Sequence, residues 1–129
     1  MAAKTQHDYA VYLFEQGFYA DAISHLDELL QEKQTGDRWS DWATAHFALG
    51  QFAEAERGFR RALELSPELA DAAVTFGTML ANLGRWKEAV EMLERALPKL
   101  EPEQRATISA FVEQCREHLG PGTQTQGAC

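Results

Sequence analysis

The sequence predicts an all-α fold: a right-handed superhelical solenoid of three helix–turn–helix repeats closed by a C-terminal capping helix. The first observation is a hexad that recurs. Gly17-Phe18-Tyr19-Ala20-Asp21-Ala22, Gly50-Gln51-Phe52-Ala53-Glu54-Ala55 and Gly84-Arg85-Trp86-Lys87-Glu88-Ala89 each read glycine, any residue, aromatic, two residues, alanine. Their spacings are 33 and 34 residues, and a fixed period of this size marks a stacked array. The second observation is that later positions repeat as well. Leu26, Phe59 and Leu93 share one slot, and Leu29, Ala62 and Ala96 share another. The third is an apolar stripe, Ile108, Phe111, Val112, Cys115 and Leu119, at helical spacings of three and four.

Residues 3–119 read as one domain, with repeats at about 3–35, 36–69 and 70–102. The first pair of helices is expected near 4–16 and 20–33, the second near 37–49 and 53–65, and the third near 68–83 and 87–97. Gly17, Gly50 and Gly84 fall between the members of each pair, where a left-handed residue closes the first helix. Small residues on the first helix, Ala43 or Gly77, face Ala55 or Ala89 on the second and let the two approach closely. Trp39, Phe59 and Phe76 then fill the space beside the contact. Pro98 should end the sixth helix, because its ring clashes with the preceding turn. Pro102 suits the first position of the seventh. That helix, 103–119, carries Gln104, Arg105, Thr107, Glu113, Gln114, Arg116 and Glu117 mostly off its apolar stripe. A helix polar on its outer side covers the exposed end of an array. Residues 120–129 hold three glycines and no hydrophobic pattern, which is the composition of a flexible tail.

These residues resemble the tetratricopeptide repeat family, a 34-residue helix–turn–helix unit. The second copy supplies Trp39, Trp42, Ala43, His46, Gly50, Phe52, Ala55, Phe59, Ala62 and Pro67 at the family's slots. The third supplies Phe76, Gly77, Leu80, Gly84, Trp86, Ala89, Leu93 and Ala96. The first copy matches least well, with Gln6 where a tryptophan belongs, Leu29 in a small-residue slot and no closing proline. The resemblance covers about 100 of the 129 residues. It implies the fold and says little about function.

Composition narrows the function classes. At 129 residues the chain is the size of one domain. Twenty acids against twelve bases give a net charge of −8, which disfavours nucleic acid and anionic membrane surfaces. No run of eighteen apolar residues occurs, so no transmembrane helix is expected. The first residues lack the apolar stretch of a secretory signal, and the expected location is cytoplasmic. The two cysteines, Cys115 and Cys129, are too few for a disulfide framework. Cys115 reads as an inert packing residue on the stripe. His7, His25, His46 and His118 are not paired at ligand spacing, so no metal site is expected. Each glycine hexad lacks the Lys-Ser/Thr of a phosphate loop, and Ser24, Ser40, Ser66 and Ser109 lack a nucleophile's context. The sequence predicts no enzyme, no catalytic residue and no cofactor.

A binding surface can be located instead. Arrays of this kind bind through the concave face formed by their first helices. Opposite the core slots, the first copy places Lys4, His7, Asp8, Val11, Phe14 and Glu15. The second places Asp37, Ser40, Asp41, Thr44, Phe47 and Ala48, and the third Asp71, Val74, Thr75, Thr78, Ala81 and Asn82. Acids dominate, and the hydroxyls and the amide can hydrogen-bond an extended peptide. One branch of the resembling family grips acidic chaperone tails with lysines, arginines and asparagines on these slots. Here Lys4 is the one basic member, while Asp37, Asp41 and Asp71 would repel such a tail. An acidic surface also arises in any acidic protein kept soluble by charge.

The reading is therefore a non-catalytic protein-interaction module, adaptor or scaffold, taking an extended basic or neutral segment in the groove. The alternative is a self-assembling structural protein, or a small acidic chaperone dedicated to a secretion or assembly system. Homodimerisation is a separate expectation, because Tyr9, Val11, Tyr12, Leu13 and Phe14 crowd a first helix that no capping segment precedes. Burial of that face between two copies predicts a sedimentation mass that rises between micromolar and near-millimolar protein. A constant monomer mass means that Tyr9 and Leu13 pack inward instead.

Overall fold

The computed structural model describes residues 6–127, with side chains as far as residue 120. Lys4 and Cys129 lie outside the described residues. The described residues form seven α-helices: α1 Gln6–Glu15, α2 Tyr19–Glu32, α3 Gly36–Ala48, α4 Phe52–Leu65, α5 Ala70–Asn82, α6 Trp86–Ala96 and α7 Pro102–Gly127, with a short 3-10 turn at Leu97–Lys99. No strand occurs among the described residues. The first six helices match the expected boundaries within two residues. The seventh differs at its end. Gly120, at φ 68° and ψ 163°, interrupts it one residue past the expected stop. Helical backbone resumes as far as Gly127, where the composition had suggested a flexible tail.

The three turns are built alike. Gly17, Gly50 and Gly84 take φ of 88°, 77° and 79°. At each, the glycine N–H donates to the carbonyl three residues back, and the next N–H reaches five back. Gly50 bonds Phe47 and Gln51 bonds His46, both at 2.9 Å. This is a Schellman closure, which satisfies the last carbonyls of the helix and requires a left-handed residue. A Cβ on any of the three would meet nothing within 4 Å. Glycine is present for its backbone freedom and not for space.

The chain divides into two compact units between Ala72 and Ala73, inside α5. In the first unit, α1 packs on α2, α2 on α3, and α3 on α4. Ala10, Leu26, Leu29, Leu30 and Trp42 form a buried cluster, with Ile23 and Trp39 against it. A close helix contact lies between α3 and α4. A Cβ added to Gly58 would stand 2.7 Å from the Trp42 ring and 2.8 Å from the Ala43 Cβ. Sequence reading placed Ala43 and Ala55 at this contact and passed over Gly58.

In the second unit, the approach of α5 to α6 centres on Gly77, as expected. A Cβ there would lie 2.7 Å from Leu93 Cγ and 3.3 Å from the Ala89 carbonyl oxygen. The stripe on α7 faces α6, with Val112 and Cys115 buried and Ile108, Phe111 and Leu119 half-buried. Burial pushes the Cys115 thiol pKa up, which keeps it protonated and unreactive. Trp86 of α6 stacks flat on His118 of α7, ring centres 3.9 Å apart. The Arg105 guanidinium caps the 3-10 turn by donating to the carbonyls of Leu97 and Leu100.

Gly77→Leu should destabilise the protein by about 1–3 kcal/mol in urea denaturation, because the added side chain overfills a close contact. Leu93→Ala in the same chain should return part of that loss, since Leu93 is the first atom set it meets. An unchanged midpoint in the single variant would mean that α5 and α6 do not pack at this distance.

Candidate functional site

The candidate site grows from α3. Thr35 starts this helix, its hydroxyl accepting from the Arg38 N–H at 3.1 Å. Arg38 then turns its guanidinium back to the end of α2, donating to the carbonyls of Leu29 and Lys33 at 2.8 and 2.9 Å. The Leu29 carbonyl also accepts from the Lys33 N–H at 3.0 Å, so the guanidinium adds a second donor there and supplies one to the Lys33 carbonyl just past the helix end. One turn further on, the Trp42 indole N–H donates to Asp27 Oδ1 on α2 at 2.8 Å. His46 packs edge-on against the same indole, and Arg57 of α4 lies 5.1 Å over it. These contacts fix the register of α3 between its neighbours.

With α3 held, Asp41 points toward α1. Its Oδ2 meets His7 Nε2 at 2.5 Å. Asp41 also lines a pocket of about 40 Å³ together with Ala10, Val11 and Phe14 of α1, Leu26 of α2 and Thr44 of α3. A cavity needs about 10–15 Å³ to hold one water, so this one can take a small alkyl group. Its walls are mostly apolar, with one carboxylate and one hydroxyl.

Of the sequence-predicted groove residues that are described, Ala81 is buried, and the others are half-buried or exposed. Val11, Phe14, Asp41 and Thr44 are brought together at the pocket. Asp8, Glu15 and Asp37 are exposed on α1 and α3, while Ser40 and Phe47 are half-buried on α3. Phe14 leans on Tyr19 and Phe47 on Phe52, ring centres 5.1 and 6.0 Å apart. Both rings therefore straddle groove and turn. Thr44 spends its hydroxyl proton on the Ser40 carbonyl at 2.8 Å, leaving the oxygen to act as an acceptor. Asp71 lies on α5 within the first unit, exposed. In the second unit, α5 carries Val74, Thr75 and Thr78 half-buried and Asn82 exposed, with Thr78 bonded to the Val74 carbonyl at 2.8 Å. Tyr9 and Tyr12 of α1 are 41% and 51% exposed while Leu13 is buried, so of the pair Tyr9 and Leu13 only the leucine packs inward.

The His7–Asp41 pair was not foreseen. The signal for it was present, because the two residues are 34 apart and so occupy almost the same slot of consecutive repeats. The hydrogen bond to Asp41 raises the His7 pKa above its usual 6.5, against the opposing effects of partial burial and Arg38. Asp37 adds to the rise. The arginines of the opposite surface are largely engaged: Arg60 with Glu56, Arg61 with Glu64 and Gln34, and Arg57 with Trp42. Among the described residues, no group of three or more His, Cys, Asp or Glu is arranged to hold a metal ion. No helix among them is long and apolar enough to cross a membrane.

Helix pairs joined by identical glycine turns, with small residues at their contact, define a tetratricopeptide-repeat protein. Residues 14–117 match the family described as the cilia and flagella-associated protein 70 middle TPR-like domain, and the chain belongs to that family. The Drosophila melanogaster protein O-mannosyl-transferase Tmtc2 is 36% identical over 105 residues, covering 78% of this chain and 11% of that protein. The chain spans about a tenth of the length of the curated relatives it matches. The first TPR domain of Spaghetti (RPAP3), bound to the HSP90 peptide SRMEEVD, superposes with a TM-score of 0.79 at 24% identity, over 88% of this chain and 92% of that one. The Yersinia enterocolitica type III secretion chaperone SycD, in complex with a peptide of the translocator YopD, gives 0.79 at 16% identity, over 86% and 89%.

The His7–Asp41 pair predicts a signed pH dependence. A histidine whose folded pKa exceeds its unfolded value stabilises fully below the unfolded pKa, and the contribution fades as pH rises through the folded one. His7→Ala should therefore lower stability below about pH 6.5 and converge with the native protein in more alkaline buffer. Both side chains are partly exposed, so the difference should stay under about 1 kcal/mol. Paired urea titrations across that range provide the check.

Proposed function

We propose that the chain is a non-catalytic protein-interaction module, an adaptor or scaffold, whose first unit binds an extended basic or neutral segment along α1 and α3. The observation that carries this is the convergence of Val11, Phe14, Asp41 and Thr44 on one mostly apolar pocket, with exposed carboxylates at Asp8, Glu15 and Asp37 on the same two helices. Pockets of this composition, apolar with few polar groups, are the usual form of a recognition site. The peptide complexes of the Spaghetti domain and SycD support peptide binding by this fold. The HSP90 peptide in the first of these carries two glutamates and an aspartate, and its charge is opposite to what Asp37 and Asp41 would accept. A cytoplasmic location belongs to the same reading and rests on the sequence. The likeness to SycD favours one alternative, a small chaperone dedicated to a secretion or assembly partner.

Exposed charges mainly set association rate, while apolar anchors hold the complex. Reversing Asp41 and Asp71 to lysine should slow association with a basic extended peptide about tenfold at low salt and flatten its salt dependence. The circular dichroism spectrum should be unchanged. Stopped-flow mixing with matched basic, neutral and acidic peptides tests the reading. Preference for the acidic peptide by the native protein would overturn it.

A further inference from the structure

The pocket and the ion pair share one residue. Asp41 forms part of the pocket wall with Val11, Phe14 and Thr44, and its Oδ2 is also the partner of His7 Nε2. In an extended segment, alternate side chains point the same way about 6–7 Å apart. A segment with an aliphatic side chain in the pocket can therefore bring the side chain two residues away to the rim.

We propose that this pocket is a two-point subsite, in which a small aliphatic side chain seats against Val11 and Phe14 and a lysine or arginine two residues away takes the Asp41 carboxylate from His7. The assignment rests on the basic-segment reading above and names its chemistry more closely. Charge complementarity selects the occupant: Asp8 and Glu15 on α1 and Asp37 on α3 are exposed carboxylates on the helices that form the pocket. The surroundings of His7 are also defined. From α3 it is faced by Asp41 and Asp37, which favour its proton, and by Arg38, which opposes it. On α2, Asp27 is held by the Trp42 indole and His25 packs on Tyr9.

A proton-coupled exchange follows. In the free protein, Asp41 holds His7 in its protonated form over a range extending above pH 6.5. When the incoming ammonium or guanidinium takes the carboxylate, the imidazolium loses that hydrogen bond and gains a cation nearby. Both effects lower its pKa in the complex. Between the bound-state and free-state values, His7 releases its proton to the buffer. Binding therefore strengthens as pH rises through this window, by at most tenfold per pH unit, with at most one proton released per complex.

The probe is a short synthetic peptide of glycine and serine carrying a valine and a lysine two residues apart. It is titrated by calorimetry in buffers of different ionisation enthalpy. Native protein should release between zero and one proton per peptide, and His7→Gln should bind while releasing none. Replacing the valine with glycine should weaken binding about tenfold, as expected for one buried aliphatic side chain. Asp41→Asn, which keeps the shape of the side chain, should lose the preference for lysine over glutamine in the peptide. Binding without proton release in the native protein, or equal release in His7→Gln, would overturn the subsite while leaving the basic-segment reading in place. Failure of every basic peptide to bind, or preference for glutamate in place of the lysine, would overturn both.

Discussion

The close approach of two helices at a residue without a side chain is the constraint on which the rest of each unit depends. Gly58 admits Trp42 and Ala43, and Gly77 admits Leu93 and the backbone at Ala89. Where backbones come this near, bulk must be displaced to the flanks, and Phe59 and Phe76 are completely buried. Nearness also dictates the turn. Two helices packed this closely must be joined by a short reversal, and the Schellman closure at Gly50 or Gly84 provides one in which the terminal carbonyls remain bonded. The repeating glycine of the sequence and the small residues at the contacts are thus two consequences of one geometric demand.

Within the first unit that demand gives α3 an unusual share of the contacts. Successive positions on this helix reach different neighbours: Arg38 and Trp42 bond α2, Asp41 bonds α1, and Ala43 meets Gly58 of α4. A helix turns about 100° per residue, so residues one apart necessarily face different partners. This helix has neighbours on three sides. The arrangement separates two roles that the sequence presents side by side. Trp42 is a buried anchor whose polar atom is satisfied by Asp27, whereas Asp41 reaches the surface and is satisfied by His7. Substitution at the first disturbs the fold, and substitution at the second disturbs a surface charge.

Much of this was legible in the sequence because periodicity is additive. Six helices, three turns and the contact at Gly77 each recur, so every copy corroborates the others. The stripe on α7 was legible for a similar reason, since five apolar residues at helical spacing have one common face. What escaped notice was singular. Gly58 stands at its contact without a glycine at the matching place in the other repeats, where His25 and Met92 occur. Gly120 allowed helical backbone to resume beyond it, although the composition of the tail offers no apolar face to call for it. On the surface, the slot argument located Val11, Phe14, Asp41 and Thr44, whose proximity is a matter of helix geometry. It did not foresee the floor of the pocket, because Ala10 and Leu26 are core residues that happen to border a gap.

The acidity of the surface is the clearest case of a sum that composition counts and structure corrects. A sequence supplies carboxylates as so many unit charges, but a carboxylate's effect on a partner depends on what already neutralises it. Asp41 faces a histidine, and Arg38 lies one turn away on the same helix. Arg38 directs its guanidinium to the Leu29 and Lys33 carbonyls at the end of α2. When His7 is protonated the Asp41 pair is neutral as a unit, and the surrounding field is set by exposed carboxylates such as Asp37 on the same helix. When His7 is neutral, the pair carries a full negative charge beside an apolar pocket. A uniformly acidic face would attract any cation and discriminate little among basic segments. One carboxylate held beside a pocket, with its charge governed by a neighbouring imidazole, couples charge to shape at a single point. In the proposed subsite, specificity would arise from that coincidence of position, and the excess of acids over bases in the chain would serve chiefly to bring a basic segment near it.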